Sequence, residues 1–338
     1  MSQIISSESN SKFKMWKSLT TAKGIKQELA FILSGEKIIR EYLQSQELQI
    51  QFPLWSILVP CENSAIESIE TKKIESNFAQ SKFGADILQA LKSKTTFVAN
   101  KDLFYLPKNL FDSIDVVGTH QPLLILKFTE FATWSPEAID NHSIAPTTAP
   151  KSLIKNSIDD SKADVELISP VGDPKNLGAI LRSCDAFGVS KIILTAESCH
   201  PFLPQALKAS SLSALRMTFF KGPSLKEIFL SKENPSQKIN SSASVKNKND
   251  DSSMVPPNAT APLITAVPFL ALDAKGISLT EFQWPSKFRL VLGQEGQGLP
   301  DTATNIVQKI SIPTKNVESL NVAIATSLAL FHYSIQKA

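Results

Sequence analysis

A chain of 338 residues is long for a single core and leaves room for two domains, since one domain usually takes roughly 100 to 200 residues. With 42% hydrophobic, 20% charged and 8% aromatic residues it is neither wholly disordered, nor collagenous, nor a coiled coil. The net charge is only +3, and residues 1–130 hold fifteen basic against fourteen acidic side chains, so any nucleic-acid partner must be met by a local basic patch rather than by total charge.

In chain order, residues 1–20 read as a loosely ordered N-terminus. The stretch Met1 to Lys17 is polar and lacks the apolar core of a secretory signal. A compact α/β unit follows over 21–132. Helical signals at Ile38, Ile39, Tyr42 and Leu43, and at Ile87, Leu88 and Leu91, alternate there with strand-like runs at Leu54–Val59, Thr96–Val98 and Pro122–Phe128. Residues 133–164 read as a linker, with Pro136, Pro146 and Pro150 set among Ser, Thr, Asn and Asp. From Val165 the alternation resumes: strand Val165–Ser169, helix Pro174–Phe187, strand Lys191–Thr195, a helix near Leu207–Leu212, strand Arg216–Phe220 and helix Ser224–Leu230. Strands Leu263–Leu272, Phe288–Leu292 and Lys309–Ile312 and a terminal helix complete it. This pattern predicts a largely parallel sheet covered on both faces. The polar stretch 231–262, with no aromatic residue between Phe229 and Phe269, reads as a mobile insertion within this second domain, 165–338.

Cys61, Cys184 and Cys199 are too few for a disulfide framework and have no CxxC spacing, and His120, His142, His200 and His332 have no ligand-like spacing. No metal is expected, and a reducing cytoplasm fits. The uncharged run Ser319 to Gln336 contains Asn321, Thr326, Ser327 and His332, which marks a buried helix of a soluble domain rather than a membrane span.

Six of the twelve glycines fall in two short windows, Pro170–Val189 and Leu290–Leu299. Read singly they are turns and caps; together they fit loops whose backbone approaches a ligand. In the first window Asp173-Pro174 is an N-cap followed by the residue best suited to the first helical position. Leu177, Ile180, Leu181, Cys184 and Phe187 form the core face of that helix, while Lys175 and Arg182, two turns apart, carry positive charge on another face. Asn176 lies in the first turn, where free N–H groups favour an anion such as phosphate. In the second window an apolar strand enters Gly293-Gln-Glu-Gly-Gln-Gly298. Its order, G-x-x-G-x-G before Leu299-Pro300, is not the dinucleotide fingerprint. Glu295 there is either a solvated carboxylate or a site residue. A third segment, Ile310 to Ala325, ends a short strand at Pro313 and starts near Ser319 a helix apolar on nearly all sides. That helix needs cover all round, from the sheet and a partner subunit or within one chain. Ser319 and Asn321 either cap it or bind substrate.

These three segments together resemble the SpoU/TrmH family of RNA ribose methyltransferases in the SPOUT superfamily. The motifs are N-x-G-x-x-x-R at Asn176, Gly178 and Arg182, G-x-E-G-x-G at Gly293 to Gly298, and I-P-x4-E-S-L-N-V at Ile312 to Val322, with Gln294 departing from the Asn or Ala common at that position. Leu33 to Leu43 and Gln121 to Lys127 are similar to the L30e-like substrate-binding domain that precedes many members. The resemblance implies a SPOUT-type α/β parallel sheet with a C-terminal deep trefoil knot, S-adenosylmethionine (S-adenosyl-L-methionine) held chiefly by backbone, and a homodimer through the C-terminal domain. It assigns Gly293, Glu295, Gly296, Ile312, Leu320 and Asn321 to the cofactor and Arg182, Asn176, Glu295, Ser319 and Asn321 to RNA and catalysis. Arg182 would grip phosphate and support a nascent alkoxide, since a guanidinium stays protonated. The substrate implied is RNA, ribosomal rather than transfer RNA. The rival readings are transfer RNA, a base methyltransferase of the same superfamily, and a non-catalytic RNA-binding dimer.

Overall fold

The computed structural model describes residues 3–62, 71–92, 103–134, 165–233 and 267–337, arranged around two sheets. The first contains β1 (Gln3–Ile4), β2 (Ala30–Leu33), β3 (Leu54–Cys61), β4 (Leu103–Pro107) and β5 (Leu123–Lys127) in the order β1-β4-β3-β5-β2. β1, β4 and β3 run parallel, while β5 is antiparallel to both β3 and β2. Its helices are α1 (Ser11–Ser18), α2 (Ala22–Glu28), α3 (Glu36–Gln44), α4 (Gln46–Gln51), α5 (Thr71–Gln80), α6 (Lys82–Lys92) and α7 (Lys108–Asp112).

Alternation along these strands sends side chains to two different cores. Phe31 and Leu33 of β2, with Leu124 and Leu126 of β5, enter the core shared with the second sheet; Ala30, Ile32, Leu123 and Ile125 face α1 and α7. This explains why neither strand shows a polar side in the sequence. It also corrects the expectation of a loose N-terminus over 1–20. Asn10 caps α1 by accepting from the Lys12 and Phe13 amides, and α1 buries Phe13 and Trp16, the latter against Phe104 at 4.8 Å between ring centroids. Two or three large apolar residues amid polar ones are enough to fasten a short helix, and a composition-based reading averages them away.

The second sheet is parallel throughout: β6 (Ala132–Thr133), β7 (Val165–Ser169), β8 (Lys191–Leu194), β9 (Thr218–Lys221), β10 (Phe269–Ser278), β11 (Phe288–Val291) and β12 (Val307–Ser311), ordered β12-β10-β11-β7-β8-β9-β6. Its helices are α8 (Pro174–Ala186), α9 (Pro204–Ser210), α10 (Leu225–Glu233) and α11 (Val322–Lys337). Leu167, Ile192 and Leu290 point to the core shared with the first sheet, and Ile168, Ile193 and Val291 point to α10. Phe31 of the first sheet meets Phe202 of the second unit at 4.5 Å.

Several boundaries differ from the sequence expectations. β6 pairs with β9 and Trp134 donates to the Lys221 carbonyl, so the chain joins the second sheet at residue 132, inside the stretch read as first domain and linker. The helix expected near Leu207–Leu212 starts at Pro204 and ends at Ser210, because Ser211 and Leu212 both adopt positive φ. β10 runs to Ser278 past an irregularity between Leu272 and Ile277, where a Cβ on Gly276 would lie 2.4 Å from the Ile310 nitrogen; only glycine permits that approach. The expected strand Thr96–Val98, the linker from Ser135 onward and the insertion beyond Glu233 lie outside the described residues. The terminal helix is not covered all round. Ala323, Thr326, Ala329 and Leu330 are buried, while Ile324, Leu328, Phe331 and Ile335 are 40–54% exposed.

Candidate functional site

The strand order fixes where a site belongs. From β7 the chain moves outward to β8 and β9, then returns to β10 and β11 on the other side of β7. β7 and β11 are therefore neighbours whose following loops diverge, and ligands of open α/β sheets bind outside the carboxyl ends of strands at such a switch point. The loop after β7 is Pro170–Asp173 and leads into α8; the loop after β11 begins at Leu292 and carries the glycines.

Asp173 caps α8 by accepting from the Asn176 amide at 2.7 Å, with Pro174 in the first turn. This holds Asn176 at the mouth of the switch point. Asn176 Nδ2 donates to Glu295 Oε1 at 2.6 Å, and Asn321 Nδ2 donates to Asn176 Oδ1 at 3.1 Å. Asn321 Oδ1 in turn accepts from the Ala323 and Ile324 amides, so Asn321 caps α11, which starts at Val322 rather than near Ser319. Asn176 is thus joined side chain to side chain to two segments more than a hundred residues further along the chain.

The glycine loop is a tight hairpin: Gln294 and Gly298 exchange backbone hydrogen bonds at 2.8 Å each, with Gly296 and Gly298 at φ +77° and +70°. Gly293 packs on the Gly298 backbone, where a Cβ would come within 3.3 Å. The hairpin presents Glu295 outward, exposed. Ile312 is half-buried against the core, whereas residues 313–319 are exposed and Leu320 is half-buried. Among the described residues, the backbone N–H groups of 315–320 donate to no other backbone group. Ser319 makes no side-chain hydrogen bond there, so the structure brings it near Asn321 only through the chain. The stretch offers a row of backbone donors beside a glycine hairpin, the set that suits a ligand read by main chain.

Arg182 does not join this relay. It lies six residues past Asn176 on α8, about 9 Å along the axis and on another stripe, exposed and with no hydrogen bond or ion pair among the described residues. Its neighbour Ser183 touches Ser327 of α11 through the two hydroxyls at 2.7 Å. The first glycine window divides differently from the second. Gly178 is where α8 and α9 touch, since a Cβ would lie 2.4 Å from the Ala206 carbonyl oxygen, and Gly188 takes φ +77° just past the end of α8. Neither cups a ligand.

The site has one neighbour that spacing did not disclose. Cys199 donates its amide to the Val171 carbonyl at 3.0 Å, tying the loop after β8 to the loop after β7. Burial pushes its thiol up to about 12, helped by the charges of Asp173 and Glu295. It comes from a segment, 195–203, with no motif of its own. Among the described residues no cluster of His, Cys, Asp and Glu could hold a metal ion, and no helix is long and apolar enough to cross a membrane.

An all-parallel α/β sheet with a three-segment polar relay at its switch point defines the class. Residues 167–331 match the SpoU rRNA Methylase family. Over 331 residues the chain is 28% identical to the ribosomal RNA small subunit methyltransferase G 2 of Syntrophobacter fumaroxidans, covering 98% of this chain and 49% of that protein. Over 172 residues it is 25% identical to the 23S rRNA (guanosine-2′-O-)-methyltransferase RlmB of Acinetobacter baylyi, covering 50% and 58% respectively. The chain spans about half the length of these relatives. Its fold matches that of an rRNA methyltransferase from Sinorhizobium meliloti solved with AdoMet bound, with a TM-score of 0.58 at 17% identity, covering 98% of this chain and 96% of that one.

Proposed function

We propose that this chain is an S-adenosylmethionine-dependent RNA methyltransferase acting on a ribose 2′-hydroxyl, with ribosomal RNA as its substrate. The observation that carries the reading is the Asn176–Glu295–Asn321 relay, which assembles the three motif segments at one point. The relatives' names favour ribosomal over transfer RNA. The first sheet and its helices would serve as an L30e-like RNA-binding domain, and the loops around Gly293–Gly298 and Ile312–Asn321 as the trefoil knot. The three unpaired cysteines suit a cytoplasmic location.

The residues present suit the cofactor. Backbone of Gly293, Gly296, Ile312 and Leu320 would hold it, and Glu295 would place a carboxylate near a cationic sulfonium. When bound, it supplies an already activated methyl group. The protein's share is then alignment and charge stabilisation, because a ribose hydroxyl is a poor nucleophile at neutral pH. Asn176 would orient the ribose or its phosphate. Arg182, whose guanidinium is uncommitted, would take phosphate in a bidentate grip and support the oxygen as it gains negative charge. Ser319 and Asn321 would position the nucleotide.

A homodimer formed through the exposed stripe of α11 would join two subunits through the C-terminal domain. Mapping 2′-O-methyl positions in total RNA from cells with and without the protein tests the function: a position that disappears with the protein is expected. A base methylation lost instead, or no change together with no binding of S-adenosylmethionine by calorimetry, would overturn it.

A further inference from the structure

A cavity of about 190 Å³ lies where the two sheets meet, at the ends of β8 and β9. Its walls include Lys26 of α2, Phe128, Glu130 and Phe131 from the segment after β5, and Cys199 and His200 from the loop after β8. We propose that this cavity seats one nucleobase of a single-stranded stretch of the RNA substrate, next to the nucleotide held at the Asn176–Glu295 site. The proposal rests on the methyltransferase reading and extends it to how the substrate is gripped.

Size selects the class of ligand. Pockets for drug-sized molecules run to roughly 300–1,000 Å³, so this one takes a single ring system and not a dinucleotide. The walls select further. Phe131 and His200 stack on one another at 5.5 Å with 22° between their planes, and Phe131, half-buried, lines the cavity with an aromatic ring of the kind on which unpaired RNA bases stack. His200 is 6% exposed, and its Nδ1 accepts from the Phe202 amide at 3.2 Å. The neutral ring therefore carries its proton on Nε2, and no described residue accepts it. Burial and the nearby charges of Lys26 and Lys221 hold the ring far below the usual imidazole range, at about 3, so this N–H donor persists at neutral pH. Glu130, paired with Lys221, adds an acceptor on the same wall. An isolated phosphate would meet that carboxylate, whereas a base edge has both donors and acceptors to satisfy the pair. Lys26 and Lys221 are exposed and stand where the phosphates on either side of a seated base would pass.

Placement links the cavity to the site. Ser198 donates to the Ser169 carbonyl at 2.7 Å, and the Cys199 amide bonds to Val171, so one loop walls the cavity and braces the turn that leads to Asn176.

Ultraviolet cross-linking of the protein to total RNA, followed by mass spectrometry of nucleotide-bearing peptides, tests the proposal. Peptides containing Phe131 or His200 should carry a nucleotide. Ala196→Phe, at an exposed position on the cavity wall, should narrow the cavity and deplete them about tenfold, equivalent to ~1.4 kcal/mol, without changing binding of S-adenosylmethionine measured by calorimetry. Lys26→Glu, at an exposed position that leaves the fold intact, should weaken the same cross-links. Cross-links confined to other surfaces, or unchanged in both variants, overturn the cavity assignment and leave the methyltransferase reading standing. Absence of both RNA cross-linking and cofactor binding overturns the two together.

Discussion

Asn176 and Glu295, 119 residues apart in the chain, meet through a 2.6 Å hydrogen bond at the switch point of the parallel sheet. The bond is the end of a chain of constraint: the first turn of α11 fixes Asn321, Asn321 fixes the Asn176 amide, and the amide fixes the carboxylate. Glu295 stands on an exposed hairpin, so this relay is what gives it one orientation instead of many.

Replacing Glu295 by Ala should lower methyl transfer about 10- to 100-fold, the scale of one hydrogen bond to a charged group at ~1.5–3 kcal/mol. Because the pair is exposed, stability should change by less than about 1 kcal/mol. Glu295→Gln, which retains an acceptor, should fall between Ala and wild type. Turnover and thermal unfolding measured on the same samples check this. A large loss of stability with unchanged turnover would make the relay a brace only.

Arg182→Lys keeps the charge and loses the planar fork. If two N–H groups grip one phosphate, the lysine variant should retain less than about a tenth of wild-type turnover, a deficit above ~1.4 kcal/mol, with cofactor affinity unaltered. Single-turnover rates beside a cofactor titration separate the two effects; near-normal turnover in the lysine variant would reject the bidentate role.

Of the substitutions Gly188→Ala and Gly178→Ala in the first glycine window, the latter should be the more damaging. A Cβ there would lie 2.4 Å from the Ala206 oxygen and 2.6 Å from the Ala209 Cβ, forcing α8 from α9 at about 1–3 kcal/mol or more. Gly188→Ala meets no atom within 4 Å and should cost only about 1–2 kcal/mol for its left-handed backbone. Urea denaturation of the two variants checks the order.

The second half was legible because its strands are buried on both faces and read as apolar runs, and because Asn176, Glu295 and Asn321 sit in dense motifs. The first sheet was harder. β2 is four residues long and β1 two, and α1 is held by Phe13 and Trp16 within a polar sequence, so no window is long enough to show a period. The interdomain cavity was not legible, since Lys26, Phe131 and His200 come from three segments and converge only when the sheets pack. The glycine windows look alike in sequence yet act differently, because only packing tells a helix contact at Gly178 from a hairpin at Gly296.

His200 should make the protein acid-sensitive. Its folded-state value, about 3, lies below the ordinary imidazole value of 6.5, so between these values the unfolded chain binds a proton that the folded one does not. The contribution is fully present above about pH 6.5 and is lost as pH falls toward 3. Urea midpoints should drop across that window, and less in His200→Gln, which can still accept from the Phe202 amide. Parallel profiles for the two proteins would place the acid sensitivity elsewhere.

Ile324, Leu328, Phe331 and Ile335 recur at steps of four, three and four along α11, forming one apolar stripe that the described residues leave about half exposed. Burying each such side chain is worth roughly 1.5–3 kcal/mol, so self-association along the stripe has enough driving force to offset the cost of association. Sedimentation should therefore find a dimer, and the double variant Ile324→Glu, Phe331→Glu should be monomeric with an unchanged thermal midpoint at low concentration. Ser183 of α8, in the same helix as Arg182, bonds to Ser327 of α11, so α8 and the stripe's helix are coupled and the monomer should also lose methyl transfer. A monomeric variant with full activity would show that the site is complete within one chain, and a wild-type protein that sediments as a monomer would leave the stripe free for a different partner.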